Sequence, residues 1–457
     1  MARHPYVMLP LVLIAVSTAA SHAAALETPA PLPPLREQVP IRLGWQQARL
    51  ERVLPALMRR HGVAMWLVVC REHNEDPVFF SLVSPMTESA RRRTILLFHD
   101  RGPAAGVERI ALGGGAQGGL FQALRDPEVK GRELLGATQW ALLRSLIDER
   151  APATIALDIS HTHAFADGLS AGEREQLEAA LGPWNARVVR AENLVIDYIA
   201  TRVPEMVPYY RHLQRTAHAL IARAFSSEAI TPGVTTTEDV GWWLRDRIEE
   251  MGMEVWFHPD VSVQRRGGLG ADAEREAVVI RPGDHLHTDV GILAMGLATD
   301  TQHVGYVLRE GERDAPEGLR RALKASNRLQ DLLLERLRPG RTGNAVLADT
   351  LAAMRAEGID GSVYAHAIGD HGHGAGPIVG LYDHQEGVPG RGDLLVLPST
   401  WYSIELQATS PVPEWEGQPL RSAQEEEALI DAGGRVAWAF ERQTRYHLVA
   451  PPAGAPR

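Results

Sequence analysis

Apolar positions along the chain change period several times, and each change marks an element. Between Trp45 and Gly62, Leu50, Val53, Leu54, Leu57 and Met58 recur at helical spacing, and Gly62 is a natural stop. MWLVVC (65–70) is a continuous apolar run, the signature of a buried strand. RRRTILLFHD, RIALGG, TIALDIS and ARVVRAENLV read as further strands, with REQLEAALG as a helix between them. Mixed strand and helix over 41–203 therefore predicts an N-terminal α/β domain. The GGG and GG around Gly113–Gly119 lack both the GxGxxG spacing and a following Lys-Ser/Thr, so a loop is expected there and not a phosphate cradle.

A boundary is expected near Arg202–Pro208, with a second domain over 204–457. Beyond it YYRHLQRTAHALIARAF places Leu213, Ala217, Leu220, Ile221 and Ala224 on one helical side. Pro232-Gly233 marks a turn. A capping box from Thr235 to Glu238 then opens a helix that turns Val240, Trp243, Leu244 and Ile248 inward and stops at Gly252. Helices follow over 316–337 and 343–357, and the last hundred residues return to strands. Upstream, the proline-rich LETPAPLPPLREQVP reads as an extended tether over 25–40.

The most informative stretch is RPGDHLHTDVGILAMGLATDTQHVGYVL, from Arg281 to Leu308. It reads as two short strands joined by a turn near Met295–Gly296, with Asp289 on one arm and Asp300 eleven positions later on the other. Antiparallel pairing can place such positions opposite each other, with both carboxylates on one face. Carboxylates held together repel unless a proton or cation lies between them, so a metal is the natural occupant.

Further ligand candidates come later in the chain. YAHAIGDHGHGAGP carries His366, His371 and His373 among glycines, and WYSIELQ embeds Glu405 in an apolar, β-favouring run. RSAQEEEALI runs Glu425, Glu426 and Glu427 into a strand. A carboxylate in the middle of an apolar strand is costly to bury unless something neutralises it.

Composition narrows the setting. The 457 residues carry a formal charge of −10, which gives no electrostatic case for nucleic acid or an anionic membrane surface. Met1 to His4 is a short positive start and VMLPLVLIAV (7–16) an apolar run; STAASHAAA then offers small-x-small cleavage sites. These features predict a signal peptide over 1–24 and export to the periplasm or medium, with no membrane association after its removal. An exported chain with one cysteine, Cys70, has no internal disulfide to rely on, and Cys70 lies in the MWLVVC run as a buried strand residue.

In the order Asp, Asp, His, Glu, Glu, the segments resemble the creatinase/aminopeptidase P/methionine aminopeptidase superfamily of dinuclear metallopeptidases (M24), most closely its Xaa-Pro aminopeptidases and prolidases. PGDHLHTDVG and ATDTQHVGYV resemble the two family aspartate segments, HAIG the family's HGIG, and SIEL its IEP segment. SAQEEEALI is similar to the final-ligand segment of methionine aminopeptidases, and that register selects Glu426 from the triplet. The resemblance implies an α+β chain: a creatinase-like N-terminal domain before a pita-bread C-terminal domain. It further implies two divalent ions (Mn²⁺, Zn²⁺ or Co²⁺) held by Asp289, Asp300, His366, Glu405 and Glu426, with Asp300 and Glu426 bridging both. Four carboxylates and an imidazole suit such ions better than thiolate-seeking ones. Glu405 is implied as proton shuttle, and His373 or His371 as the substrate-contacting histidine.

The sequence departs from the family pattern at Asp370, Pro377 and Gln424, and His258 is a weak counterpart of the histidine that often precedes the aspartate hairpin. The implied activity is release of an N-terminal residue, or cleavage of a dipeptide, before proline. Alternative expectations are a metal-dependent hydrolase or lyase of a non-peptide molecule, and a non-catalytic binding protein. A homodimer is a further expectation from the family. Export is checked by mass spectrometry of the protein recovered from a secreting host: the first residue should lie between His22 and Leu26, whereas a chain still beginning at Met1 would remove the signal-peptide reading.

Overall fold

The computed structural model of the protein describes residues 30–124, 136–270 and 277–450. The expected signal peptide and the first residues of the tether lie outside this range. The chain enters as helix α1 (Leu35–Ala48), passes a π-helical turn at Arg49–Val53 and continues as α2 (Leu54–Arg60). The tether expected to stay extended to residue 40 is thus helical from Leu35, with Pro40 inside the helix. Pro34 immediately precedes α1 at φ −54°, a pre-set entry angle, and the Gln38 carboxamide donates back to the Pro33 carbonyl at 2.8 Å.

Six strands form the first sheet: β1 (Met65–Arg71), β2 (Arg93–Asp100), β3 (Val107–Leu112), β4 (Gln122–Leu124), β5 (Ile155–Leu157) and β6 (Val188–Arg190), in the order β4-β3-β2-β1-β5-β6. Residues of β1 alternate between two cores. Trp66, Val68 and Cys70 face one, with α2, α3 (Phe79–Leu82) and α6 (Glu192–Ala200); Met65, Leu67 and Val69 face the other, with α4 (Gly136–Arg150) and α5 (Ala171–Leu181). Cover on both faces is why MWLVVC shows no polar alternation. The 113–119 glycine stretch is a closed loop, its Gln117 carboxamide donating to the Gly114 carbonyl at 2.7 Å.

After a 3₁₀ turn at Pro204–Met206 come α7 (Val207–Ala224) and α8 (Thr237–Glu250). The five residues expected on the inner side of α7 are all fully buried. The capping box of α8 is set one residue later than expected, between Thr236 and Asp239, because it is the Asp239 carboxylate that accepts from the Thr236 backbone. On α8, Val240, Leu244 and Ile248 are buried, while Trp243 is half-exposed beneath the guanidinium groups of Arg223 and Arg247.

The remaining strands are short: β7 (Glu254–Val255), β8 (Asp260–Gln264), β9 (His285–Val290), β10 (Ile292–Ala294), β11 (Leu297–Ala298) and β12 (Thr301–Val307). Helices α9 (Glu317–Arg336) and α10 (Gly343–Ala356) separate them from β13 (Asp360–Val363), β14 (His366–Ile368), β15 (Trp401–Ser403) and β16 (Leu406–Val412). The chain ends with β17 (Gln418–Gln424), β18 (Glu427–Ile430), β19 (Val436–Trp438) and β20 (His447–Val449). Two four-stranded sheets, β20-β12-β9-β8 and β14-β15-β18-β19, carry the candidate chemistry, and an antiparallel bridge between Gln302 and Glu425 joins β12 to the chain leading into β18. No helix among the described residues is long and apolar enough to cross a membrane.

One polar contact ties the first sheet's half of the chain to the second. The Asp370 carboxylate accepts from Arg49 at 3.0 Å and from Arg202 at 2.8 Å, and both arginine side chains are only 3% exposed. Arg49 also donates to the Tyr198 carbonyl at 2.7 Å. Burial alone would raise the Asp370 pKa, but Arg202 and Arg49 together hold it below the ordinary range. Gly369 is required beside this contact: with φ +150°, its absent Cβ would fall 1.9 Å from the Arg202 guanidinium.

Removing the carboxylate leaves two buried cations without their counter-charge, so Asp370→Asn should cost about 3–5 kcal/mol in urea unfolding. Because the folded-state pKa is depressed, this contribution is complete above roughly pH 4 and disappears as pH falls further. The wild-type advantage over Asp370→Asn should shrink accordingly on acidification. A variant as stable as wild type at neutral pH would show that the ion pairs contribute nothing net.

Candidate metal centre

Strand register builds the first part of the site. In the β9–β12 ladder Asp289 lies opposite Gln302, not opposite Asp300. Asp300 precedes Gln302 by two residues, so alternation puts it on the same face and on a diagonal from Asp289. The sharp return between β10 and β11 uses positive φ at Met295 (55°) and Gly296 (72°), where the turn was expected. On the far side of β12, Gln302 and Glu425 exchange backbone hydrogen bonds of 3.1 and 3.2 Å. Directly opposed residues of antiparallel chains share a face, so Asp289, Gln302 and Glu425 form one row across three strands.

The second part comes from β14 and from the turn after β15. His366 is buried, and its Nδ1 lies 3.0 Å from the Ala367 carbonyl. A carbonyl only accepts, so Nδ1 donates there, and Nε2 is the ring atom that faces the acids. Nε2 lies 3.3 Å from Glu425, 3.6 Å from Asp300 and 3.9 Å from Glu405. Glu405 stands between β15 and β16, and the Gln302 carboxamide donates to it at 2.6 Å.

The fifth ligand expected, Glu426, is not in this group; Glu425 is. Glu425 follows Gln302 onto the site face, so the next residue along the strand points the other way. There Glu426 meets His218 of α7 at 2.8 Å and His303 at 2.9 Å, and it accepts from the Gln443 backbone at 2.7 Å. Burial opposes its charge, yet the two histidines hold its pKa down at about 2. Glu427 in turn accepts from the Asp300 backbone N–H at 2.6 Å. All three glutamates are 1–2% exposed, so the triplet is no solvated turn.

The histidine loop separates its two candidates. His373 packs edge-on against His366, ring centres 4.8 Å apart, and against Trp256 at 5.1 Å. His371 instead leans on Phe165 from the first sheet's half and does not join the acidic group. Gly372 between them sits so close to Trp256 that a Cβ would fall 2.2 Å from the indole. His258 is exposed and packs on Trp242.

Burial comes first among the forces on the carboxyl groups. It pushes Asp289, Asp300 and Glu405 well above the ordinary carboxylate range, and the charge of Glu425 adds to it in each case. Three donor atoms, Asp289 Oδ1, Asp300 Oδ1 and His366 Nε2, are buried without a hydrogen-bond partner. Such atoms cost free energy unless something absent from the protein chain satisfies them. Carboxylate and imidazole donors within ligand distance of one another fit a divalent first-row cation.

Comparison with known proteins bears on the family and the fold. Residues 209–427 match the model of metallopeptidase family M24. An X-Pro aminopeptidase from Thermotoga maritima is similar in structure, with a TM-score of 0.60 and 14% identity over 86% of this chain and 99% of that one. An Xaa-Pro dipeptidase from Bacillus anthracis gives a TM-score of 0.58 and 15% identity over 89% and 99%. The N-terminal domain of the FACT complex subunit SPT16 from Eremothecium gossypii gives 0.59 and 10% identity over 89% and 99%. No curated protein sequence matches. The chain is an α+β protein whose N-terminal domain precedes a metallopeptidase family M24 domain in the pita-bread arrangement.

The corrected register is testable by metal analysis. Glu425→Gln should weaken metal binding by at least roughly tenfold, a typical cost even for a residue one shell further out. Glu426→Gln should keep the metal content and lose stability instead. The opposite pattern would restore Glu426 as the ligand.

Proposed function

We propose that the protein is an exported, metal-dependent peptidase that releases an N-terminal residue or splits a dipeptide before proline. The observation that carries this reading is the meeting of four carboxylates and one imidazole around three buried, unpartnered donor atoms. Asp289, Asp300, Glu405, Glu425 and His366 would hold the metal. The chemistry a divalent ion supplies when bound is stabilisation of developing negative charge and a more acidic water. Supporting the choice of bond are the family match and the proline-directed peptidases among similar structures.

Glu405 is suited to move the proton. Its carboxyl group sits at a strand end with 15% of the side chain exposed, open to water on one side and to the acidic group on the other. Burial and the charges of Glu425 and Asp289 raise its pKa above the ordinary carboxylate range, the direction that strengthens a carboxylate as a proton acceptor. It would take the proton of the attacking water and deliver it to the departing amine. His373 lies beside His366 with its edge exposed, and burial followed by the neighbouring His366 lowers its pKa. A neutral ring there donates one hydrogen bond to the oxyanion of the substrate carbonyl.

Hydrolysis of Xaa-Pro dipeptides and tripeptides after loading with Mn²⁺, Zn²⁺ or Co²⁺ tests the reading. Cleavage before proline is expected, and Glu405→Gln should reduce kcat by about 10²–10⁴-fold while the protein stays folded. Bound metal without cleavage of any peptide would move the site to a different substrate.

A further inference from the structure

Arg42, Trp45, Gln46 and Arg49 fall at i, i+3, i+4 and i+7, one stripe along α1 and the turn that follows it. A helical stripe turned toward the protein interior is normally apolar. On this one Trp45, Gln46 and Arg49 are buried and Arg42 is half-buried, so three of its four side chains are polar. The stripe forms one wall of a cleft of about 130 Å³, and the Met295–Gly296 turn and the Asp370–His371 segment face it from the M24 domain. Trp45, Phe80, Met206 and Met295 supply apolar surface, and Phe80 stays 50% exposed to solvent. None of the candidate metal ligands lines this cleft, so it is separate from the metal centre.

Charge in the cleft does not balance. Asp370 is the one carboxylate among its lining residues, and it is already shared between Arg49 and Arg202. Arg42 has no hydrogen bond or ion pair among the described residues; exposed Glu88 and Asp370 act on it from a distance, and burial lowers its pKa. Its guanidinium lies over the hairpin turn, where a Cβ added to Gly296 would fall 3.1 Å from Nη2. Arg49 Nε is buried without a partner as well. A cation withdrawn from water without a counter-charge costs free energy that an anion from outside the chain would offset.

The form of that anion follows from the walls. A planar guanidinium with free N–H groups matches the two oxygens of a carboxylate. Asp370, within the same cleft, disfavours a more highly charged group. The volume is close to the roughly 150 Å³ of an apolar cavity that accepts benzene, which leaves space for one ring-sized body. We propose that this cleft binds a small carboxylate bearing one apolar, ring-sized group, with the carboxylate on Arg42 and the apolar part against Trp45, Phe80, Met206 and Met295.

Calorimetric titration of the purified full-length chain with 3-phenylpropionate is the test, with 3-phenylpropionamide, acetate and inorganic phosphate as companions. Wild type should bind 3-phenylpropionate, and each companion at least about tenfold more weakly. Arg42→Gln should weaken 3-phenylpropionate by a similar factor, and Glu425→Gln should leave its affinity unchanged. No binding by wild type, or equal binding by Arg42→Gln, would overturn the site. An amide bound as tightly as the acid would remove the role of charge, and acetate or phosphate bound as tightly would remove that of the apolar wall. Loss of binding in Glu425→Gln would move the acid to the metal centre and overturn the cleft alone. Should Arg42→Gln fail to fold, the comparison of acid with amide in wild type and in Glu425→Gln decides.

Discussion

Four carboxyl groups that repel one another, gathered where water is scarce, are the constraint around which the M24 domain is built. Desolvation and like charge both oppose the ionisation of Asp289, Asp300 and Glu405. The acids stay together because their backbones cannot separate. Asp289, Gln302 and Glu425 are locked in one row by ladder hydrogen bonds, and Asp300 is pinned through its own N–H by Glu427. The sheet does the holding, and the free energy set against repulsion comes from strands that pair regardless of what their side chains carry.

The reverse face of the same strands uses a different solution. There a single carboxylate, Glu426, meets His218 and His303, and each of its two oxygens has a hydrogen-bond partner within the protein. Adjacent residues on one strand thus belong to two environments, one complete and one with donors left over. That contrast distinguishes a structural network from a candidate ligand set more sharply than residue type does. His303 and Glu426 lie within ligand distance of each other too, yet both Glu426 oxygens and both His303 ring nitrogens have partners, as His366 Nε2 does not.

Much of this was legible from residue order. The apolar runs located the central strands of the first sheet, the helical spacing of α7 identified its buried side, and the two aspartates marked the hairpin. Two expectations failed by one residue. The capping box moved from Thr235 to Thr236, and the fifth candidate ligand from Glu426 to Glu425. In both cases short runs of equivalent residues (three threonines, three glutamates) offer no internal mark of register, and only pairing with another segment selects among them. Gln302 went unnoticed, although a signal existed: a polar residue two positions after Asp300 must share its face. Helix α4 has no strong apolar period and was missed for that reason. The helical state of residues 35–40 was hidden by prolines whose fixed angles suit a helix entry as well as an extended tether.

The Arg49–Asp370–Arg202 contact has a consequence for how the molecule divides. Its carboxylate belongs to the loop that carries His373, but both cations come from chain segments before the M24 domain begins. Cutting the chain at the family boundary would strip Asp370 of both partners and leave a negative charge without them next to His371 and three residues from His373. The domain that carries the candidate ligands therefore depends on earlier chain segments for this contact. Whatever chemistry it performs, its histidine loop is held by sequence that supplies none of the candidate ligands.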